Sequence, residues 1–269
     1  MKYKGGVKMQ ESIVIKDLHK KFHLSKKQMK INKTNIPYKV AVDGVSFTTY
    51  KGEIFGLLGP NGAGKTTTLR CIATLIKANQ GSILVDGISI EDDVKIKKKI
   101  AFLTNELKLE EQFTPNYLYD YFSRFHDLDQ ETIEQRKKYL FSKFGIEQFA
   151  EVKIGELSTG MKQKVSIAVS LVHDPEIIIF DEPTNGLDVI TAKTVTDYLL
   201  ELREQGKSII ISTHIMNLVE KICDRVGIII DGKLTLCDSV ENVLKTHPDA
   251  DIEEIFFNIY NEVNHEEHR

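Results

Sequence analysis

Three short runs in this chain are apolar without a break: Ile54 to Leu58, Ile177 to Phe180, and the isoleucines between Ser208 and Ser212. Runs of this length, each followed by polar or glycine-rich residues, predict strands buried on both faces, as in a parallel sheet covered by helices. Other segments differ. Ser12–Ile15 and Val45–Thr49 read as early strands, the second alternating apolar and polar. Gly81–Val85 runs into the turn Asp86-Gly87, and Val226–Ile230 and Lys233–Leu236 flank Asp231-Gly232 as a hairpin. Helical spacing is expected over Thr66–Ile76, from Ser166 toward Asp181, over 190–205, and in the tail at Ile252, Ile255, Phe256, Ile259 and Tyr260.

Residues 106 to 156 differ in character, with Tyr117, Tyr121, Phe122 and Phe125, then a charged stretch, then Leu140, Phe141 and Phe144. They read as a mostly helical insertion. The expected fold is α/β: a phosphate-loop core with a mainly parallel sheet, an antiparallel β N-terminal part, and a helical subdomain at about 106–165. The core unit spans 11–240 and an acidic tail 241–269. No internal repeat occurs, so one such unit is expected.

Composition narrows the class. At 269 residues with a formal net charge of −3, the chain can bury a full core, and nothing global points to a nucleic-acid partner. No apolar stretch reaches the length of about 18 residues that crosses a membrane, and the opening residues lack the apolar core of a signal peptide. Cys71, Cys223 and Cys237 show no metal-type pairing and fit a reducing compartment, with Cys71 expected to be packed. Charge is uneven: eight lysines stand against Asp17 alone between Lys16 and Lys39, and acids dominate after Val240. The lysine stretch suits anionic lipid, nucleic acid or a solvated loop.

The chemistry concentrates after the first apolar run. Gly59, Pro60, Asn61, Gly62, Ala63, Gly64, Lys65 and Thr66 fit the phosphate-loop pattern, with Thr67 following. A strand, a glycine-rich turn and a helix start aim backbone N–H groups and a positive helix end at one point, which suits a polyphosphate. Lys65 then reaches the β- and γ-phosphates and the Thr66 hydroxyl ligates Mg²⁺. The second apolar run ends in Asp181 and Glu182. There Asp181 suits Mg²⁺, and Glu182 suits orienting and deprotonating an attacking water.

From about 11 to 240 the chain resembles the nucleotide-binding subunits of ATP-binding-cassette (ABC) transporters. Leu157-Ser-Thr-Gly-Met161 is similar to the family signature, usually Leu-Ser-Gly-Gly-Gln, and stands about twenty residues before the Asp-Glu pair. The resemblance implies ATP and Mg²⁺ as ligands and an ATPase that works as a head-to-tail pair of cassettes, a homodimer or two paired subunits. Ser158 and Gly160 of one cassette then face the ATP on the phosphate loop of the other. It implies Asp188 as a contact across that dimer and His214 as the switch histidine at the γ-phosphate. It further implies an integral membrane permease subunit as partner and a peripheral place at the cytoplasmic face of the membrane. The wording of the phosphate loop and signature is most like the drug- and sodium-export branch.

Two departures stand out. Thr159 and Met161 replace a glycine and a glutamine of the usual signature. The family's Mg²⁺-linking glutamine falls in Phe102–Glu106, where Asn105 offers the amide one methylene shorter and Glu106 offers a carboxylate. For the adenine-stacking aromatic, family spacing favours Phe22, while Tyr38 stands nearer the strand that follows.

Overall fold

The computed structural model describes residues 3–4, 7–31, 33–104, 109–126 and 128–267; the expected glutamine substitute Asn105 lies outside the described residues. Strands β1 (Tyr3–Lys4) and β2 (Val7–Lys8) form a small hairpin, and β3 (Glu11–His23) and β4 (Tyr38–Tyr50) a long one with helix α1 (Lys26–Ile31) at its tip. β5 (Ile54–Leu58) leads into α2 (Lys65–Ile72), followed by β6 (Gln80–Val85), β7 (Ile88–Ser89), α3 (Asp93–Lys99) and β8 (Ile100–Thr104). The helical stretch holds α4 (Pro115–Ser123), α5 (Gln130–Phe144) and α6 (Thr159–Ser170). The chain returns through β9 (Ile177–Asp181), α7 (Val189–Glu204), β10 (Ser208–Thr213), α8 (Met216–Ile222), β11 (Arg225–Ile230) and β12 (Lys233–Ser239). It ends with α9 (Val240–Thr246) and α10 (Ile252–Glu267).

The three apolar runs become the centre of one six-stranded sheet, ordered β12-β11-β5-β10-β9-β8. All neighbours in it are parallel except β11 and β12, the predicted hairpin. Every residue of β5, β9 and β10 is buried, which is why those runs carry no polar alternation. A second, antiparallel sheet runs β4-β3-β6-β7. The two sheets share an apolar core in which Phe47 of β4 stacks on Phe55 of β5 at 4.8 Å. The fold class is therefore as expected, and Cys71 is fully buried within that core.

α4, α5 and α6 pack on each other and on the opposite face of the parallel sheet. Thr114 caps α4 by accepting from the Tyr117 N–H, and Pro115 sits in its first turn, where its missing donor costs nothing. Tyr119 meets Phe141 edge-on at 5.5 Å and Phe144 meets Tyr198 at 5.0 Å, tying the helices to α7. In the tail, Ile252, Ile255 and Phe256 are buried against the main core, so the helical spacing there serves packing.

Candidate active site

Register brings the site together. Ser212 of β10 lies beside Leu57 of β5 on one side and Asp181 of β9 on the other. The C-terminal ends of all three strands thus finish at one edge, where ligands of open α/β sheets sit. The loop from Gly59 to Gly64 leaves β5 there, and α2 begins at Lys65.

The loop is clamped from behind. A Cβ on Gly59 would stand 2.2 Å from the Ile229 carbonyl oxygen, and one on Gly64 would stand 2.2 Å from that of Ala41. Gly64 also has φ 106°, a conformation side chains resist. The Gly232 N–H donates to the Ala63 carbonyl at 3.0 Å, and the Asp43 N–H donates to the Gly232 carbonyl at 2.8 Å. The loop is therefore braced by the β11–β12 turn and by β4, two contacts that local sequence does not announce.

Inside the loop, Lys65 Nζ donates to the Gly59 carbonyl at 2.7 Å and to the Pro60 carbonyl at 3.2 Å, and stands 3.7 Å from Glu182 Oε1. Burial pulls its ammonium below the ordinary range, while the Glu182 and Asp181 carboxylates pull the other way. The Thr66 hydroxyl donates to Asp181 Oδ1 at 3.0 Å, and the Ser212 hydroxyl donates to the same oxygen. Asp181 is buried at 7% exposure, so these hydroxyls supply what water otherwise would.

Glu182 occupies a left-handed backbone conformation, φ 55°, rare for a side-chain-bearing residue. Its N–H donates to the Ser212 carbonyl at 3.0 Å and lies 3.3 Å from Ser212 Oγ. Such conformations persist where surrounding bonds over-determine them, and they cluster at functional sites. Its carboxylate meets His214 Nδ1 at 3.0 to 3.1 Å. Lys65, Thr66, Asp181, Glu182 and His214 are thus one connected group. Ser212, the residue that joins its halves, was missed at the sequence level; a hydroxyl closing an apolar strand two residues before a histidine was the available signal.

A second group forms where α6 and α7 begin. The Ser158 side chain caps α6 by accepting from the Met161 N–H at 3.3 Å. Asp188 caps α7, accepting from the Ile190 and Thr191 N–H groups at 3.0 Å and from the Thr191 hydroxyl at 2.7 Å. Those bonds, the backbone donor of Thr191 foremost, hold its carboxyl below the usual range. A Cβ on Gly160 would meet Thr191 Oγ1 at 3.1 Å and Asp188 Oδ2 at 3.2 Å, so the two helix starts lie close together here and a larger residue would press on the Asp188–Thr191 pair. Val189 and Ile190 beside them are 85% and 77% exposed.

Phe22 pairs with Lys39 and His23 with Tyr38, so Phe22 and Tyr38 point to opposite faces of the long hairpin. Only one of the two rings can stack on a base held by the loop.

A strand–loop–helix phosphate cradle with a buried Asp and an adjacent Glu at the ends of parallel strands defines a phosphate-loop nucleotide hydrolase. The family model described as ABC transporter matches residues 42–185, more than half of the chain. The ABC transporter ATP-binding protein NatA of Bacillus subtilis is 37% identical over 246 residues, covering 91% of this chain and 96% of that protein. The SkfA peptide export ATP-binding protein SkfE of the same species is 37% identical over 193 residues, 72% of this chain and 80% of that one. A dimeric ATP-binding cassette in a post-hydrolysis state with ADP and Pi superposes with a TM-score of 0.73 at 26% identity, over 84% of this chain and 98% of that chain. The chain belongs to the ABC transporter family, as an ATP-binding and ATP-hydrolysing subunit.

Proposed function

We propose that this subunit drives an exporter by closing on a second cassette around ATP and reopening after hydrolysis. The observation that carries the reading is the connected group at the sheet edge, with Glu182 held between Lys65 and His214. In it, residues 59–67 wrap the triphosphate, and Lys65 exchanges its carbonyl partners for β- and γ-phosphate oxygens. Glu182 orients the attacking water and takes its proton, and His214 steadies Glu182 and contacts the γ-phosphate. Phe22 is the base-stacking ring.

The Thr66 hydroxyl and the Asp181 carboxylate, already 3.0 Å apart, are two hard oxygen donors of the kind Mg²⁺ takes. They would hold the ion, with Asn105 as a third donor, and the ion would supply charge neutralisation between the β- and γ-phosphates.

Ser158 and Gly160 then meet the partner cassette's γ-phosphate at the positive start of α6, and Asp188 lies across the dimer contact. The exposed Val189 and Ile190 support that placement, since apolar side chains beside such a cluster suit a surface that becomes covered. A membrane subunit supplies the path. Among the described residues no helix is long and apolar enough to cross a membrane. On the helical subdomain Tyr117, Tyr121, Phe122 and Phe125 are exposed as a connected aromatic patch, which suits the membrane partner. The subunit sits at the cytoplasmic face, and the likeness to the SkfA peptide export ATP-binding protein supports the direction.

The test is the Glu182→Gln protein, tagged and recovered from detergent-solubilised membranes with ATP present. It is expected to bind ATP, lose turnover by about 10²–10³-fold, and bring down a multi-span membrane protein in fixed ratio. Unchanged turnover would remove Glu182 as the base. A soluble partner alone would replace the transporter by a soluble cassette ATPase.

A further inference from the structure

The long hairpin carries a second kind of surface. β6 pairs with β3 only as far as His19, opposite Gln80. Beyond that point β3 and β4 continue alone, paired from Lys20 to His23 with Tyr38 to Val42. The loop between them has a defined shape. The Leu24 N–H donates to the Pro37 carbonyl at 2.8 Å, closing it, and Leu24 is buried beneath. At the start of α1 the Ser25 N–H donates to Gln28 Oε1 at 2.8 Å and the Gln28 N–H to Ser25 Oγ at 3.3 Å, a reciprocal cap. The Thr34 N–H returns to the Met29 carbonyl at 3.1 Å.

This ordered tip leaves most of its described side chains exposed. α1 has no buried residue, and Ile31 and Ile36 are 68% and 54% exposed. From Lys20 to Lys39 the sequence has seven lysines and no acid. Lys20 and Lys21 are engaged, Lys20 with the Lys77 carbonyl and the Phe22 ring, Lys21 over the Tyr38 ring. Among the described residues Lys26, Lys27, Lys30 and Lys33 have no carboxylate partner, whereas lysines elsewhere on the surface such as Lys95, Lys97, Lys137 and Lys193 do. A capped helix with unpaired cations and solvent-facing aliphatic side chains has two unmet demands: negative charge, and an apolar medium within one side-chain length of it.

We infer that the tip of the β3–β4 hairpin is a docking surface for anionic lipid, with Lys26, Lys27, Lys30 and Lys33 on the headgroups and Ile31 and Ile36 entering the interfacial layer. A bilayer surface meets both demands at once. Nucleic acid meets only the first. Between Leu24 and Pro37 there is no arginine and no aromatic ring to read or stack on bases, and two exposed isoleucines would lie against phosphates. The contact would hold the cassette against the membrane by a route separate from the aromatic patch on α4.

The test uses the full chain and vesicles that contain no membrane subunit, so it does not depend on the transporter reading. Co-sedimentation is measured with phosphatidylcholine vesicles and with vesicles containing about one third phosphatidylglycerol, at about 0.1 M and about 0.5 M salt. The protein is expected to bind only the anionic vesicles, and far less at the higher salt. With each lysine near the surface contributing about fivefold, K26Q/K27Q/K30Q/K33Q should bind about 600-fold more weakly, with ATP turnover unchanged as the folding control. I31S/I36S should lose about tenfold while keeping its salt dependence. If the quadruple variant loses turnover, Lys30→Gln and Lys33→Gln alone carry the test, at about fivefold each. Equal binding of the wild-type and lysine variants would overturn the inference, as would no preference for anionic vesicles. Tighter binding to a DNA duplex than to those vesicles would assign the tip to nucleic acid instead.

Discussion

The ATP end of the parallel sheet and helix α4 treat their functional side chains in opposite ways. At the sheet edge each group is held by others. Asp181 receives two hydroxyls, Lys65 two carbonyls, and the Glu182 backbone is pinned to Ser212. On α4 and just after it the exposed rings of Tyr117, Tyr121 and Phe125 form a chain of ring contacts joined by Phe113 and Phe122, while Tyr119 on the inner face is fully buried. Phosphoryl transfer requires fixed geometry in every turnover, so its site is pre-organised. The face proposed to meet a membrane partner would need contact area more than fixed bonds, and exposed aromatics provide area at little entropic cost.

The sharpest way to break this contrast is on α4 itself. Tyr119→Ala should cost about 3–5 kcal/mol in urea unfolding, the usual range for removing a buried ring; a loss under about 1 kcal/mol would mean the helical subdomain does not share the main core. At the sheet edge, Lys65→Ala should weaken ATP affinity by about 10²-fold, as expected for losing charge-assisted bonds to phosphate. Unaltered affinity by calorimetry would count against the phosphate-loop role. Ser158→Ala separates two roles of one residue. Loss of the cap should cost about 1 kcal/mol of stability. Turnover should fall by about tenfold beyond that if the hydroxyl also meets the partner's γ-phosphate; a stability change alone would leave Ser158 as a cap. The smallest effect is expected from Tyr121→Ala/Phe125→Ala, within about 0.5 kcal/mol in stability and without change in ATP affinity. Its readout is loss of the copurifying membrane protein, and retention of that protein would show that the aromatic patch is not the contact.

Much of the site was legible because its parts are local. The phosphate loop, the Asp-Glu pair after an apolar run, and the Ser-Thr-Gly helix start each lie within a few residues, and each needs particular residue types at particular spacings. The buried strands were legible for a similar reason, since burial on both faces leaves an unbroken apolar run. Elements without a pattern of their own were not. β8 follows Lys97-Lys-Lys99 with only five residues, and its place at the sheet edge comes from pairing with β9. α1 is six residues long with no buried face, so periodicity has nothing to register.

Sequence alone thus determined the class of chemistry, the order of the main strands along the chain and which loop and acidic residues are proposed to bind phosphate and Mg²⁺. Tertiary structure decided that β10 lies between β5 and β9, which makes Ser212 the link between Asp181 and the backbone of Glu182. It also decided which rings of α4 face the core, and that Gly64 must pass against the Ala41 carbonyl of a distant strand. Those features depend on pairings between segments far apart in the chain. Local propensity and periodicity encode a residue's own conformation and which face it prefers to bury, while the identity of the neighbour across the sheet is set only when the whole core packs.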